Sequence, residues 1–426
     1  MPPIRFIHAA DLHLDAAFSG LSRDIPADFA ERLRTATFTA FRRLLDLCER
    51  ESPDFLLLAG DVYNQEDASV SAQLALRDGF RRLESLSIPV FLVHGNHDPL
   101  ASRLRSVRWP GNVTVFGELP DAVPVFRKGE GTPLAIIHGA SHASGRETRN
   151  LAALFRRTEA CGLHVGLLHA TPGDADGVAR YAPFSQGDLK ASGMDYWALG
   201  HIHDRREVCR EPLAAYPGCT QGLHINEPGE KGCLLVTAEA RPDGGYAVRT
   251  SFRPLGPAVW KTLDMDLGGA ASLDELENRL RTGLDRAAAE VWSGCEMLLV
   301  RLRLQGRTEL DGLLRKGTTC AELADRLRED GSGVPRIWIK DIDVATRPCV
   351  ERGALAGARG PAREGVPPVR SGDARLRDCK LCGKARWPLC SRTPGRGRRW
   401  SRSRMRSWPG CWTTRQSLCL DLLEND

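Results

Sequence analysis

Six short apolar runs in this chain each lead into a residue able to hold a metal ion, and that repetition constrains the fold more than any other feature. Ile4 to Ala10 precedes Asp11-Leu12-His13, Phe55 to Ala59 precedes Gly60-Asp61, and Val90 to Val93 precedes His94-Gly95-Asn96-His97-Asp98. Leu134 to Ile137 precedes His138, Val165 to Leu168 precedes His169, and Trp197 to Leu199 precedes Gly200-His201-Ile202-His203. Short continuous apolar runs of this kind read as buried strands. In an open α/β sheet, ligands gather at the carboxyl ends of the strands. The pattern therefore predicts one site, assembled from loops far apart in sequence. Glycines beside several of these residues permit sharp turns close to it.

Helical spacing fills the gaps between the runs. Residues 28–49 place apolar side chains at Phe29, Leu33, Phe41, Leu44, Leu45 and Cys48, which predicts a helix with one buried face and a βαβ unit with its flanking strands. Residues 68–86 repeat the pattern before the strand at 88–93. The alternation runs to about residue 240, and residues 244–256 read as a last strand and linker, so the first domain is expected at 1–250. Residues 257–345 form a second expected domain. Its strands are read at Val259 to Met265, Met297 to Leu304 and Arg336 to Val344. Its helices are read at Leu273 to Glu290, with Ser272 as N-cap, and near Cys320 to Arg328. With no histidine and no clustered carboxylates, this small α/β cap is expected to shape access rather than perform chemistry.

At 426 residues the chain has room for two or three domains. No apolar stretch reaches the ~18 to 20 residues that span a bilayer, and no leader pattern is visible at the N-terminus. The expectation is a cytoplasmic protein with no membrane partner. The net charge of +5 hides an asymmetry: residues 351–416 carry seventeen Lys and Arg against four acidic side chains, and the first 350 residues stand at about −5. The body is no cationic sponge, so a polyanion bound there needs metal ions or local patches to attract it. The cysteines of residues 1–345 are scattered singly and read as small buried thiols.

Residues 346–426 differ in kind. They are rich in Arg, Gly, Pro and Cys, and residues 346–416 lose hydrophobic periodicity. Three readings stand side by side: a disordered basic tail touching nucleic acid, a zinc knuckle on Cys379-x-x-Cys382 with Cys390, Cys411 or Cys419, and an out-of-frame translation of a GC-rich gene. Leu418 to Glu424 reads as helical again.

All 11 histidines precede residue 225, which favours a metal centre. Asp11 and His13 offer a carboxylate and an imidazole to one ion. Asp61 has two oxygens and can bridge two ions. Asn96 adds a neutral carbonyl oxygen, and His169, His201 and His203 complete two mixed nitrogen and oxygen shells. Such ligands suit Mn²⁺, Fe²⁺ or Zn²⁺ over Mg²⁺ alone. Two ions about 3.5 to 4 Å apart clamp a phosphorus centre and acidify a water into a nucleophile. His97 is placed to protonate the leaving oxygen, and Asp98 to orient the His97 ring and raise its pKa.

Asp-x-His, Gly-Asp, Gly-Asn-His-Asp, His and Gly-His-x-His, in this order and spacing, resemble the calcineurin-like metallophosphoesterase family. Tyr181-Ala182-Pro183-Phe184, Asp195 to His203, Tyr216-Pro217-Gly218 and Gln221-Gly222-Leu223-His224 look like the YhaO-type branch of the SbcD repair nucleases, and the match covers residues 1–345. The resemblance implies an α/β/β/α sandwich with a small cap, and a Mn²⁺-dependent DNA exonuclease and endonuclease. It implies work on DNA with an SMC-like ATPase of the SbcC or YhaN kind; a homodimer is kept among the expected partners. It assigns Asp11, His13, Asp61 and His203 to the first ion, and Asp61, Asn96, His169 and His201 to the second. His97 becomes the catalytic histidine. Two departures stand out. Relatives often carry a histidine three residues after the bridging aspartate, where this chain has Asn64, and they follow the cap with helices that residues 346–416 do not resemble.

The remaining residues carry milder expectations. His8 and His164 read as packing residues and His94 as structural, while His138 reads equally as support for the site or as nothing. His142 and His224 fall in loops near the site, and His224 is a candidate phosphate contact. Arg103, Arg105 and Arg108, placed on a helix, read as a solvated face or as DNA-backbone contacts. Two rivals to the DNA nuclease remain: a small-molecule phosphodiesterase, and a weakly active DNA-binding scaffold for an SMC-like ATPase.

Overall fold

The computed structural model describes residues 2–349 except 22–24, 65–68, 103–106, 175–178, 243 and 330–332. The basic tail beyond Cys349 and the pair Arg103 and Arg105 lie outside the described residues.

Strands and helices alternate over residues 4–93 as the sequence suggests, but the alternation expected to about residue 240 fails beyond them, where Gln186–Ala191 is the only α-helix among the described residues before residue 254. Strand β1 (Ile4–Ala9) is followed by helices α1 (Ala27–Arg34) and α2 (Ala36–Glu51), then β2 (Phe55–Ala59), α3 (Val70–Ser85), β3 (Val90–Val93) and β4 (Val113–Val115). Next come β5 (Asp121–Val125), β6 (Ala135–Ala140), β7 (Leu163–His169), α4 (Gln186–Ala191), β8 (Tyr196–Gly200), β9 (Arg206–Arg210), β10 (Leu213–Tyr216), β11 (Gly232–Ala240) and β12 (Tyr246–Pro254). They form two six-stranded sheets, ordered β12-β11-β1-β2-β3-β4 and β5-β6-β7-β8-β10-β9. The strands that lead into the site are parallel within each sheet: β1, β2 and β3 in the first, and β7 and β8 in the second.

Period-two alternation separates the layers. On β1, Phe6 joins Phe55, Leu57, Val165 and Tyr196 in the core between the two sheets. Its neighbour Ile7 faces the other way and packs with Phe41, Leu44 and Leu76 of α2 and α3. The far face of the second sheet is covered by Leu189 of α4 together with Leu151 and Phe155, against Trp197 and Leu199. The result is an α/β/β/α sandwich. A Ser69 side chain caps α3 by accepting from Ala72 N at 3.1 Å.

The single helix expected over residues 28–49 is two helices, broken at Thr35. The Thr35 hydroxyl folds back onto the Glu31 and Arg32 carbonyls, a local bond that competes with helix continuation. The apolar positions then serve two cores. Phe29 and Leu33 of α1 pack with Trp260, Leu299 and Trp338, while Phe41, Leu44 and Cys48 of α2 pack on the first sheet.

Beyond the sandwich lie β13 (Ala258–Asp266), α5 (Leu273–Glu290), β14 (Met297–Gln305), β15 (Arg307–Thr308), α6 (Asp311–Leu314), α7 (Thr319–Glu329), β16 (Arg336–Val344) and β17 (Arg347–Pro348). Strands β13, β14 and β16 make a parallel three-stranded sheet. One face packs on Leu276, Leu280 and Leu284 of α5, and the other carries Trp260, Leu299 and Trp338 against α1. Ser272 caps α5 through Glu275 N at 3.2 Å. No helix among the described residues is long and apolar enough to cross a membrane.

Candidate metal centre

The loops after β1 and β2 are zipped together: Asp11 N donates to the Gly60 carbonyl and His13 N to the Asp61 carbonyl, both at 3.1 Å. This draws the Asp-x-His and Gly-Asp segments to one point. Backbone strain is concentrated there. Asp11 (φ 50°), His13 (φ 41°), Asp61 (φ 49°) and His201 (φ 104°) all adopt positive φ, a region that residues with side chains seldom enter. Strain of this sort persists only where the surrounding structure enforces it.

Two groups of ligand atoms result, each with its members within 4.8 Å of one another: Asp11, His13 and His203 in one, and Asp61, His169 and His201 in the other. Asp61 stands between them, with Oδ2 3.9 Å from His13 Nε2 and 3.3 Å from His169 Nε2. His13 Nε2 and His203 Nε2 face each other at 3.1 Å, and His203 Nε2 lies 3.9 Å from Asp11 Oδ1. Asn96 Oδ1 reaches within 3.1 Å of His169 Nε2. All seven residues read from the sequence as ligands thus converge. Two glycines make room for them. A Cβ on Gly95 would meet the Asp61 carboxylate and the His169 ring, and one on Gly200 would meet the Ala59 carbonyl.

The rings are aimed by partners behind them. His169 Nδ1 donates to the Ala59 carbonyl at 2.9 Å, which turns Nε2 toward Asp61. His203 Nδ1 donates to Glu227 Oε1 at 2.6 Å, and Glu227 Oε2 accepts from Leu223 N at 2.6 Å. Glu227 was not legible in the sequence: it lies 24 residues from His203, in the loop between β10 and β11, and forms no motif with it. Below His169, His142 Nε2 donates to the His169 carbonyl at 2.6 Å.

Burial and charge pull these groups in opposite directions. Burial lifts the Asp11 carboxyl to about 6 despite the nearby His169 and His203. Burial would do the same to Asp61, but His169 outweighs it and holds that carboxylate below the usual range. Burial disfavours a charged His169, yet the Asp61 carboxylate prevails and raises the imidazole to about 9. Burial lowers His13 to about 4 and His201 to about 3, which keeps both imidazoles neutral near neutral pH. Two fully buried carboxylates are costly unless cations compensate them.

His97 stands exposed at the rim. Its backbone N donates to Asp61 Oδ1 at 3.0 Å, and its Nδ1 donates to the Asn64 carbonyl at 2.8 Å. Asp98 does not orient this ring, contrary to the expectation from adjacency. It is fully buried, and its oxygens accept from Val62 N at 3.0 Å and Gly95 N at 2.8 Å, with His94 Nδ1 at 3.4 Å. Asp98 ties the β2 and β3 loops together.

His138 is also displaced from its expected position. β6 continues to Ala140, so His138 lies inside the strand and bonds His164 at 3.0 Å instead of reaching the site. His8 is a packing residue between the Tyr196 hydroxyl and the Leu199 carbonyl. His224 Nδ1 accepts from Asn226 N at 3.1 Å. Arg108 is exposed on an irregular segment rather than on a helix.

Comparison with known proteins places this geometry. The model of the calcineurin-like phosphoesterase family matches residues 4–205, and that of the YhaO metallophosphoesterase middle domain matches residues 260–347. The metallophosphoesterase YhaO of Bacillus subtilis, itself uncharacterised, is 36% identical over 348 residues, 80% of this chain and 82% of its own. The chain belongs to the calcineurin-like phosphoesterase family. Among other relatives of this calcineurin-like phosphoesterase is the DNA double-strand break repair protein Mre11 of Aeropyrum pernix, 28% identical across 68% of this chain and 69% of its own. The Mre11 of Haloferax volcanii is 24% identical across 88% of this chain and 80% of its own. The calcineurin-like phosphoesterase is a metal-dependent hydrolase, and its fold implies a dinuclear divalent metal site. The donor set fits such a pair: imidazole nitrogens and carboxylate oxygens crowd two adjacent points, with one carboxylate shared between them.

Proposed function

We propose that this protein is a Mn²⁺-dependent phosphodiesterase that hydrolyses DNA. The observation that carries the reading is the Asp61 carboxylate, which lies between the Asp11, His13 and His203 donors and the Asn96, His169 and His201 donors. Asp11, His13, Asp61 and His203 would hold one ion, and Asp61, Asn96, His169 and His201 would hold the other. Mixed nitrogen and oxygen donors of this kind suit Mn²⁺. When bound, the ion pair polarises phosphoryl oxygens and acidifies a water near neutral pH.

The chain's own residues do the rest. The His97 N–H pins one Asp61 oxygen, so the shared carboxylate is held in one orientation. The Asn64 carbonyl occupies His97 Nδ1, and among the described residues no hydrogen-bond partner takes Nε2 of this exposed side chain. A protonated His97 can there hand a proton to the departing oxygen, the general-acid role. Burial of Asp11 and Asp61 keeps their charges in a poorly screened setting, where they act strongly on bound cations.

DNA as substrate is supported by the relatives that carry the name of a DNA double-strand break repair protein. On this reading the protein acts in repair, in the cytoplasm, with an SMC-like ATPase partner, and a homodimer is compatible with it. The mildly acidic body supports a rival, a small-molecule phosphodiesterase. The test is digestion of blunt, recessed and single-stranded DNA by the full chain with Mn²⁺, with His97→Ala as control. Metal-dependent cleavage that His97→Ala loses supports the reading; an inert protein on all three DNAs that cleaves small phosphodiesters supports the rival.

A further inference from the structure

A third group of ligand atoms lies behind the metal centre. His203, Cys219 and Glu227 bring an imidazole nitrogen, a thiol sulfur and a carboxylate oxygen within 4.8 Å of one another. The arrangement is held by the backbone. Cys219 N donates to the His203 carbonyl at 3.2 Å, and Gly218, at φ +81°, packs so closely on that carbonyl that a Cβ would strike it. Lys231 Nζ donates to the same carbonyl and to Asp204 Oδ1, both at 3.0 Å, so its charge is already paired. The Cys219 side chain is buried, while those of His203 and Glu227 remain 32% and 21% exposed. The group therefore has a buried soft ligand and a solvent-facing edge through which an ion and one water ligand can enter.

We propose that Cys219, Glu227 and His203 Nδ1 form a second metal site, selective for thiophilic divalent ions of the Zn²⁺ and Cd²⁺ class, that competes with the dinuclear centre for His203. Thiolate, imidazole and carboxylate are the donors Zn²⁺ prefers, with bonds of about 2.0 to 2.3 Å and an open fourth position. Tetrahedral ligand pairs at such bond lengths stand roughly 3.3 to 3.7 Å apart, so the His203–Glu227 pair, now at 2.6 Å, has to open by about 1 Å. Mn²⁺, a harder ion, gains little from the sulfur.

The protons balance. Metal capture breaks the S–H bond, forms the S–metal bond and releases one proton to solvent. The proton that His203 Nδ1 shares with Glu227 must move as well. It passes to Nε2, the nitrogen that faces His13 and Asp11. A ring metallated at Nδ1 and protonated at Nε2 cannot serve the dinuclear centre. Capture of the thiophilic ion is independent of the phosphoesterase reading, and its inhibitory effect rests on that reading.

The test uses the metal-free full chain, wild type and Cys219→Ser, titrated with Cd²⁺ while the thiolate-to-metal charge-transfer absorbance is followed. Other cysteines contribute equally to both proteins, so the difference isolates Cys219. The expected result is a wild-type band that the variant lacks, saturating at one ion per chain in the difference. Mn²⁺-supported phosphoesterase activity should be equal in the two proteins, and Cys219→Ser should need about tenfold more Cd²⁺ for half inhibition. Cys219→Ala serves if the serine variant fails to fold. Identical absorbance titrations overturn the site. A difference band with equal Cd²⁺ inhibition overturns the competition for His203. An absence of phosphoesterase activity counts against the proposed function alone, because the absorbance needs no substrate.

Discussion

The Asn64 backbone carbonyl accepts a 2.8 Å hydrogen bond from His97 Nδ1, and this bond, across 33 residues of sequence, decides which ring nitrogen faces solvent. Replacing His97 by Ala should lower kcat by about 10²- to 10⁴-fold, the usual contribution of a general acid. Mn²⁺ affinity, read by isothermal titration, should change little, because no ring atom of His97 belongs to either ligand group. Loss of metal binding in step with activity would contradict the assignment. Asn64→Ala should stay within about twofold of wild type, since a main-chain oxygen makes the bond.

Glu227 acts through His203. Glu227→Gln keeps the shape but removes the charge that holds the imidazole, and Mn²⁺ affinity should fall by about 10- to 100-fold. The diagnostic readout is rescue: kcat at saturating Mn²⁺ should approach wild type. A kcat that stays low at saturating metal would mean that Glu227 does more than position the ring.

Gly95 leaves no space for a side chain. Gly95→Ala should push Asp61 or His169 from its place and cut activity by about 100-fold or more, the scale of a 1 Å misplacement. The variant should still fold, with a melting temperature close to wild type in metal-free buffer and little further rise on adding Mn²⁺. A normal metal-induced rise would show that the pocket tolerates the methyl group.

Stability of the metal-free protein should pass through a maximum at mildly acid pH. His8, His13 and His201 have folded values depressed by burial to about 3, 4 and 3, so their buried neutral forms lose stability as pH falls below the ordinary 6.5. On the other side, His169 is raised to about 9, against the burial that would lower it, by the Asp61 carboxylate. Its contribution is complete below 6.5 and disappears as pH rises through 9. The Asp11 carboxyl, lifted to about 6 by burial, also costs stability as it ionises between 3.8 and that value. Mn²⁺ requires neutral imidazoles and charged carboxylates, so it should raise the melting temperature more at about pH 8.5 than at about pH 6. Thermal scans with and without Mn²⁺ at the two values check the sign.

The sandwich was legible because its strands are short, buried on both faces and closed by polar residues, as in Phe55–Ala59 before Gly60-Asp61. The convergence of the proposed ligands was legible for the same reason, since each sits within a few residues of a strand end. What escaped depended on main-chain atoms and distant loops. Adjacency suggested that Asp98 steers His97, whereas a carbonyl does so and Asp98 braces two backbone N–H groups. Carbonyls leave no mark in a sequence, and Glu227 meets His203 only after β9 and β10 have turned the chain back. The break at Thr35 escaped because Phe29, Leu33 and Phe41 share a helical spacing while packing into two cores.

The proposed two-metal centre cleaves DNA phosphodiesters. Its most direct test is the ratio of kcat/KM for a linear DNA duplex to that for bis(p-nitrophenyl) phosphate, measured on the full chain with Mn²⁺. A ratio far above one, with both activities lost on chelation and the DNA activity lost in His97→Ala, is the predicted result. Efficient turnover of the small diester with no cleavage of DNA would contradict it.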